Sequence, residues 1–512
     1  MVSLFRTNCP KSPGRCGYYD VNRTPIALLF LLLCNFVCPV PGADAPASKP
    51  NIVYILADDL GYGDVHCLNP ERGKIATPQL DKMASQGMIF TDAHGSSSVC
   101  SPTRYGILAG RYNWRSRLQS GVLDGYVEPL IAANRLTVPA LLKQNGYHTA
   151  IIGKWHLGYT IEGEGKSGGG KGKLEGAPMG AITHDGPLTR GFDEFFGFHH
   201  ARMMKSVFEN DRVTQIIEPV DILPALVKRS TAHIAERIKA GQPFFLYVPL
   251  NSPHTPIVPS KEWQGKSGLG DYGDFVMETD WAVGEILAAI DKAGIADNTL
   301  VIVTSDNGCS KAAGISKLEK QGHYPSADLR GSKADIWEGG HRMPYIVRWP
   351  GRVKAGSRSS QLICHTDLMA TCAELVGAKL PDNAGEDSVS ILPALLGTDK
   401  APLREAIVHH SINGSFSIRQ GNMKLELCAD SGGWTAPTPG SKESKSLPPT
   451  QLYDLSTDVA ESKNLQAERP EEVARLSKLL EQYIANGRST PGAKQANDAQ
   501  IVLRKKGGPT KE

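Results

Sequence analysis

Little in this 512-residue chain leans to one extreme. Its 56 basic residues are nearly matched by 53 acidic ones, so the basic excess of a nucleic-acid-binding surface is missing. Ten cysteines occur without a single Cys-x-x-Cys spacing, which argues against a structural zinc knuckle and against a small disulfide scaffold. No apolar run reaches the length of a comfortable bilayer span. The nearest approach lies within residues 24–40, preceded by Arg6, Lys11, Arg15 and Arg23 and followed by Ala43-Asp44-Ala45. That layout reads as a secretory signal over residues 1–45, with an uncleaved anchor as the alternative. The mature protein is therefore expected outside the cytosol, in a periplasmic, extracellular or lumenal space, touching membrane only through that signal. Four of the cysteines (Cys9, Cys16, Cys34 and Cys38) belong to this segment, leaving six in the remainder of the chain.

The remaining chain is rich enough in apolar residues, at 40% overall, for one large core and a smaller one. Asn51–Ala57 is a largely apolar run that suits a central strand buried on both faces. Helical patterns follow over Thr77–Gln86 and Leu136–Asn145, each with a threonine to cap it and a proline in the first turn. Apolar strands at His148–Ile152, Phe244–Pro249 and Leu300–Thr304 alternate with helices at Ile222–Lys239, Phe275–Ala293 and Leu368–Val376. This alternation means an α/β fold with a mainly parallel sheet flanked by helices. Residues 162–176, with seven glycines and scattered charges, read as a mobile surface loop. After residue 400 short strands at Glu405–His409, Ser415–Arg419, Lys424–Cys428 and Gln451–Leu455 precede a helix at Val473–Tyr483. The expected organisation is a catalytic domain over 46–400, a small α+β domain with an antiparallel sheet over 401–486, and a flexible tail over 487–512.

Cys100-Ser101-Pro102-Thr103-Arg104 opens a helical pattern that continues through Tyr105, Leu108 and Ala109. Ser98 or Ser101 can cap it, placing Cys100 where unpaired N–H groups attract anions. Taken alone, the stretch allows a reactive cysteine in an anion-binding turn or a buried structural one. Elsewhere, Asp58-Asp59 ends the first strand and Asp306-Asn307 a later one, at the carboxyl edge where open parallel sheets bind ligands. These are hard oxygen donors without histidine, a set suited to Ca²⁺ or Mg²⁺.

Cys-Ser-Pro-Thr-Arg followed by Leu108-Ala109-Gly110-Arg111 resembles the signature of the type I, formylglycine-dependent sulfatases, closest to the arylsulfatase A and N-acetylgalactosamine-6-sulfatase branch. The resemblance runs from Asn51 to about Leu465. It implies an alkaline-phosphatase-like sheet and a sulfuric ester hydrolase whose Cys100 becomes formylglycine through a maturation enzyme. It further implies one bound divalent cation, Ca²⁺ ahead of Mg²⁺, held by Asp58, Asp59, Asp306, Asn307 and the modified Cys100. Gly153-Lys154-Trp155-His156-Leu157-Gly158 resembles the family's lysine and histidine pair; in an extended segment both side chains would point the same way. His254, in Asn251-Ser252-Pro253-His254, matches the second histidine, and Lys333, ahead of Glu338-Gly339-Gly340, the second lysine. With Arg104, these residues form the implied catalytic set.

For the substrate, taken to be a sulfated carbohydrate or an aryl sulfate, Asn113, Trp114, Arg115 and Arg117 are expected at the pocket mouth. His199, His200 and Arg202 are further candidates. A phosphate or phosphonate ester hydrolase and a catalytically silent carbohydrate-binding homologue are the rival readings.

Overall fold

A computed structural model describes residues 49–162 and 176–504. Residues 1–48, where a secretory signal is expected, nearly all of the glycine-rich loop and residues 505–512 lie outside the described residues.

The Asn51–Ala57 strand, apolar at nearly every position, sits in the middle of a ten-stranded sheet. It runs parallel to Phe244–Pro249 on one side and to Thr299–Ser305 on the other, and His148–Lys154 extends the parallel set. Tyr345–Arg348 joins antiparallel beside Thr299–Ser305. The period of two along the central strand assigns its faces. Ile52, Tyr54 and Leu56 enter a core with the helices Cys100–Ala109, Val138–Gln144 and Leu368–Val376. Val53, Ile55 and Ala57 enter the opposite core with Pro78–Gln86, Pro219–Ala240 and Asp271–Lys292. A strand buried on both faces has no polar side, which is why it reads as a continuous apolar run.

Four strands, Ile407–His410, Phe416–Gln420, Met423–Glu426 and Gln451–Asp454, form a separate antiparallel sheet covered by the helix Pro470–Asn486. Its core takes in Tyr112 and Trp114 from the larger layer, and the described residues pack as one compact unit rather than as two lobes. Residues 487–504, where a flexible tail is expected, make specific contacts. Asp498 and the Ala496 carbonyl accept hydrogen bonds from Arg111, and Asn497 accepts one from Arg115. Ile501 and Leu503 pack against the small sheet's core. All six described cysteines are free thiols. Among the described residues no helix is long and apolar enough to cross a membrane.

Candidate functional site

Two strand ends and one helix start meet at the carboxyl edge of the sheet. The helix begins at Cys100 and is capped by the Val99 backbone; neither Ser98 nor Ser101 caps it. The Thr103 hydroxyl, one turn on, donates to the Ser97 carbonyl. Gly110 stops the helix in the left-handed conformation that costs glycine least. Cys100 is 2% exposed, and burial pushes its thiol up to about 11. A raised thiol is a poor thiolate source, which weighs against Cys100 as an ordinary nucleophilic cysteine.

Arg104, one turn along, donates from Nε and Nη2 to Asp306 Oδ2 (3.0 and 2.7 Å) and from Nη1 to the Lys154 carbonyl (3.1 Å). This fork fastens the helix start to two strand ends. Lys154 Nζ donates to Asp58 Oδ2 at 2.7 Å, and Lys333 Nζ lies 2.9 and 2.7 Å from the two oxygens of Asp59. Asn307 Nδ2 donates to Asp59 Oδ1 at 2.7 Å, and His254 Nε2 stands 3.7 Å from Asp59 Oδ2. Asp59 turns into this cluster at φ 68, a strained backbone region that asparagine and aspartate tolerate best among non-glycine residues.

Burial disfavours a charged Asp58, but Lys154, then His254, Arg104 and Lys333, hold its carboxyl well below the usual range. Asp59 likewise more than offsets the burial of Lys333 and keeps its ammonium protonated. Burial pushes the His254 imidazole down to about 4.

The residues suit a hard cation. Asp58, Asp59, Cys100 and His254 each bring a donor atom within 4.8 Å of the others. Asp58 Oδ1 and Asn307 Oδ1 are buried acceptors with no hydrogen-bond partner, a costly state that a cation would relieve. A cluster of carboxylate and amide oxygens fits Ca²⁺ or Mg²⁺.

Lys333 reaches the cluster because the backbone around it packs closely. Gly308 N–H donates to the Gly340 carbonyl and Lys333 N–H to the Cys309 carbonyl. A Cβ at Gly308 would lie 2.0 Å from the Gly339 oxygen. Gly308→Ala is therefore expected to push the 331–340 segment away and lower kcat/KM by about 10²-fold, measured on any accepted ester.

Other expected positions differ. His156 does not follow Lys154 in an extended segment: its φ is 56, and its Nε2 donates to the Leu123 carbonyl at 2.9 Å. Burial, then Lys154, pushes it well below its ordinary value, and its buried Nδ1 has no hydrogen-bond partner. Asn113, Trp114 and Arg115 are not at a pocket mouth. All three are fully buried: Trp114 stacks on Tyr112 and meets Phe416 edge-on, Asn113 contacts His410, and Arg115 is forked onto Asp387. The indole and guanidinium expected at a sugar instead fill the joint with the small sheet. Arg117 donates to the Glu128 carbonyl.

His200 does fall beside the catalytic set. Its ring centre is 5.2 Å from that of His156, and His199 lies between Tyr159 and both histidines. Asp124, which the sequence did not single out, contacts His200 at 3.2 Å and Arg202 at 2.5 Å. Its only signal was an acidic residue in an otherwise featureless turn.

A family model described as Sulfatase matches residues 50–378. The chain is 32% identical over 487 residues to an N-acetylgalactosamine-6-O-sulfatase of Bacteroides thetaiotaomicron, covering 85% of this chain and 93% of the relative. It is 33% identical to Arylsulfatase A of Homo sapiens, covering 82% and 84%. Among solved structures, one from work on glycosaminoglycan metabolism by Bacteroides thetaiotaomicron aligns with a TM-score of 0.74 and 31% identity, covering 85% of this chain and 99% of the other. The structure of Ps i-CgsB in complex with k-i-k-neocarrahexaose aligns at 0.68 and 25% identity, covering 85% and 92%.

Proposed function

Because the chain belongs to the sulfatase family, which hydrolyses sulfuric esters, we propose that it cleaves a sulfate monoester on a sulfated carbohydrate, using a formylglycine made from Cys100 and one divalent cation. The observation that carries this reading is the convergence of the Cys100 helix start, the Asp58-Asp59 and Asp306-Asn307 strand ends, and Lys154, Lys333 and His254 in one buried cluster. The carbohydrate is supported by the names of relatives that act on sulfated amino sugars and by the carrageenan oligosaccharide in a structural neighbour.

A formylglycine at position 100 would supply, as its hydrate, a nucleophilic hydroxyl toward sulfur and a second hydroxyl for release of sulfate. Asp58, Asp59, Asp306 and Asn307 would hold the cation, which would supply positive charge to acidify a hydroxyl and polarise the sulfate.

The protein's own groups do the rest. Lys154 and Lys333 each spend at least one N–H on a carboxylate and can turn others toward the sulfuryl oxygens. Arg104 keeps the helix start in register with the strand ends, and its charge stabilises the hydrate oxygens. Asp59 or Asp306 takes the attacking proton. His254 protonates the departing sugar oxygen, and His156 serves the second step; each proton transfer contributes roughly 10²–10⁴-fold. The pairing of Lys154, Lys333 and His254 with one carboxylate cluster suits a single tetrahedral anion.

Export by the first 45 residues and maturation by a formylglycine-generating enzyme complete the proposal. Parallel assays of sulfate and phosphate monoesters test the reaction: sulfate should be preferred, and a clear preference for phosphate rejects the reading.

His200, Asp124 and Arg202 are proposed to face the sugar. Arg202, about half exposed, should matter for a charged glycan more than for a small aryl sulfate. Arg202→Ala is expected to raise KM on a sulfated oligosaccharide about tenfold, with aryl-sulfate hydrolysis nearly unchanged.

A further inference from the structure

Apart from the site above, three buried histidines from distant parts of the chain meet beneath the small sheet. His94 lies on the short strand Ala93–His94, His341 ends the turn Glu338–His341, and His409 is on the first strand of the small sheet. All are 0% exposed, and each offers a ring nitrogen within 4.8 Å of the other two.

The far nitrogen of every ring already has an acceptor. His94 Nε2 donates to Asp92 Oδ1 at 2.8 Å, His341 Nε2 to the Ile336 carbonyl at 3.0 Å, and His409 Nδ1 to the Ser417 hydroxyl at 3.0 Å. In the tautomers these bonds select, His94 Nδ1, His341 Nδ1 and His409 Nε2 carry the lone pairs, and Arg419 Nη1 also approaches His94 Nε2 at 3.4 Å. Burial keeps all three rings neutral. His94 Nδ1 and His341 Nδ1 stand 3.0 Å apart, and His409 Nε2 is buried without a hydrogen-bond partner.

Lys424 Nζ also lies 3.2 Å from His341 Nε2. Its three N–H groups face Glu461 (2.7 Å), the Ile336 carbonyl (3.0 Å), Glu338 (3.1 Å) and Glu426 (3.2 Å), so its donors are already claimed.

We propose that His94, His341 and His409 hold a structural transition-metal ion of the zinc class, with Glu338 the carboxylate placed to complete the shell. Three imidazoles and a carboxylate suit that class, and a histidine ligand characteristically hydrogen-bonds its other nitrogen to a carboxylate, carbonyl or hydroxyl, as all three do here. Asp92, His94 and Glu338 also bring donor atoms within 4.8 Å of one another. The His341 and His409 rings stack with centres 3.7 Å apart, and the ion would splay them. With no route from solvent, it enters during folding and ties the small sheet to the sulfatase core.

The test is elemental analysis of the full-length protein folded with zinc present, then dialysed against a chelator. About one zinc per chain is expected, distinct from calcium at the carboxylate site. Cobalt in place of zinc should give the visible bands of a four-coordinate nitrogen and oxygen site. His409→Gln should lose the zinc and the cobalt spectrum, and Ser417→Ala should weaken zinc binding at least about tenfold. Wild-type protein that takes up no zinc, or His409→Gln that keeps the same metal content and cobalt spectrum, overturns the proposal. Sulfate-ester hydrolysis is scored separately, so failure here leaves the catalytic reading standing.

Discussion

Cys100→Ala is expected to lower sulfate-ester hydrolysis by at least about 10⁴-fold, the scale on which removal of a nucleophile acts. The fold should survive. Cys100 is one small side chain at a helix start, its loss leaves a modest cavity, and the Arg104 fork to Asp306 and Lys154 that anchors the helix is untouched. Cys100→Ser separates the chemistry from the packing. A hydroxyl there can attack sulfur once, yet the resulting sulfate ester has no second hydroxyl to release it. It should release at most about one desulfated alcohol per chain, keep the sulfate esterified to the new hydroxyl, and then stop. Mass spectrometry of the peptide carrying residue 100, on protein from a host with the maturation enzyme, should show the cysteine converted to aldehyde in proportion to activity. Fully matured protein bearing only thiol, yet turning over at full rate, would remove the mechanism.

Arg115→Ala should damage stability rather than recognition. Its guanidinium is fully buried, donates to both oxygens of Asp387 at 2.8 and 2.9 Å, reaches the Tyr483 carbonyl and Asn497, and lies 4.2 Å from the Trp114 ring centre. Truncation leaves a buried carboxylate without its main counter-charge, a change that costs about 3–5 kcal/mol. The expected result is a lower unfolding temperature with KM of the surviving folded fraction nearly unchanged. Arg115→Lys keeps the charge but loses the fork and should fall between the two. An intact melting curve with a large rise in KM would return Arg115 to the substrate pocket.

That correction shows what the sequence could and could not reveal. The central strand and its neighbours were legible because they are apolar throughout, and the helices at Pro78–Gln86 and Val138–Gln144 because threonine and proline mark their starts. The Asp58-Asp59 and Asp306-Asn307 pairs were legible because parallel strands must end at one edge. Whether Trp114 and Arg115 faced a sugar or a protein core depended on Asp387, 272 positions away, which local pattern does not encode. The positive φ of His156, in a residue other than glycine, carried no signal either. Polar residues 487–504 had the composition of a loose end, and only the buried arginines waiting for Asn497 and Asp498 make them ordered. The three-histidine cluster, assembled from residues 94, 341 and 409, was invisible for the same reason.

The helix that begins at Cys100 runs directly into Arg111 and Arg115, whose partners include Asn497 and Asp498. On a ribosome making protein from the N-terminus, those partners arrive after Cys100 by almost four hundred residues. The proposed maturation enzyme would thus have a window in time, open while the nascent polypeptide still lacks its closing strap. Slowing folding should widen that window and raise the converted fraction, whereas a faster-closing variant should leave more unconverted thiol sealed inside.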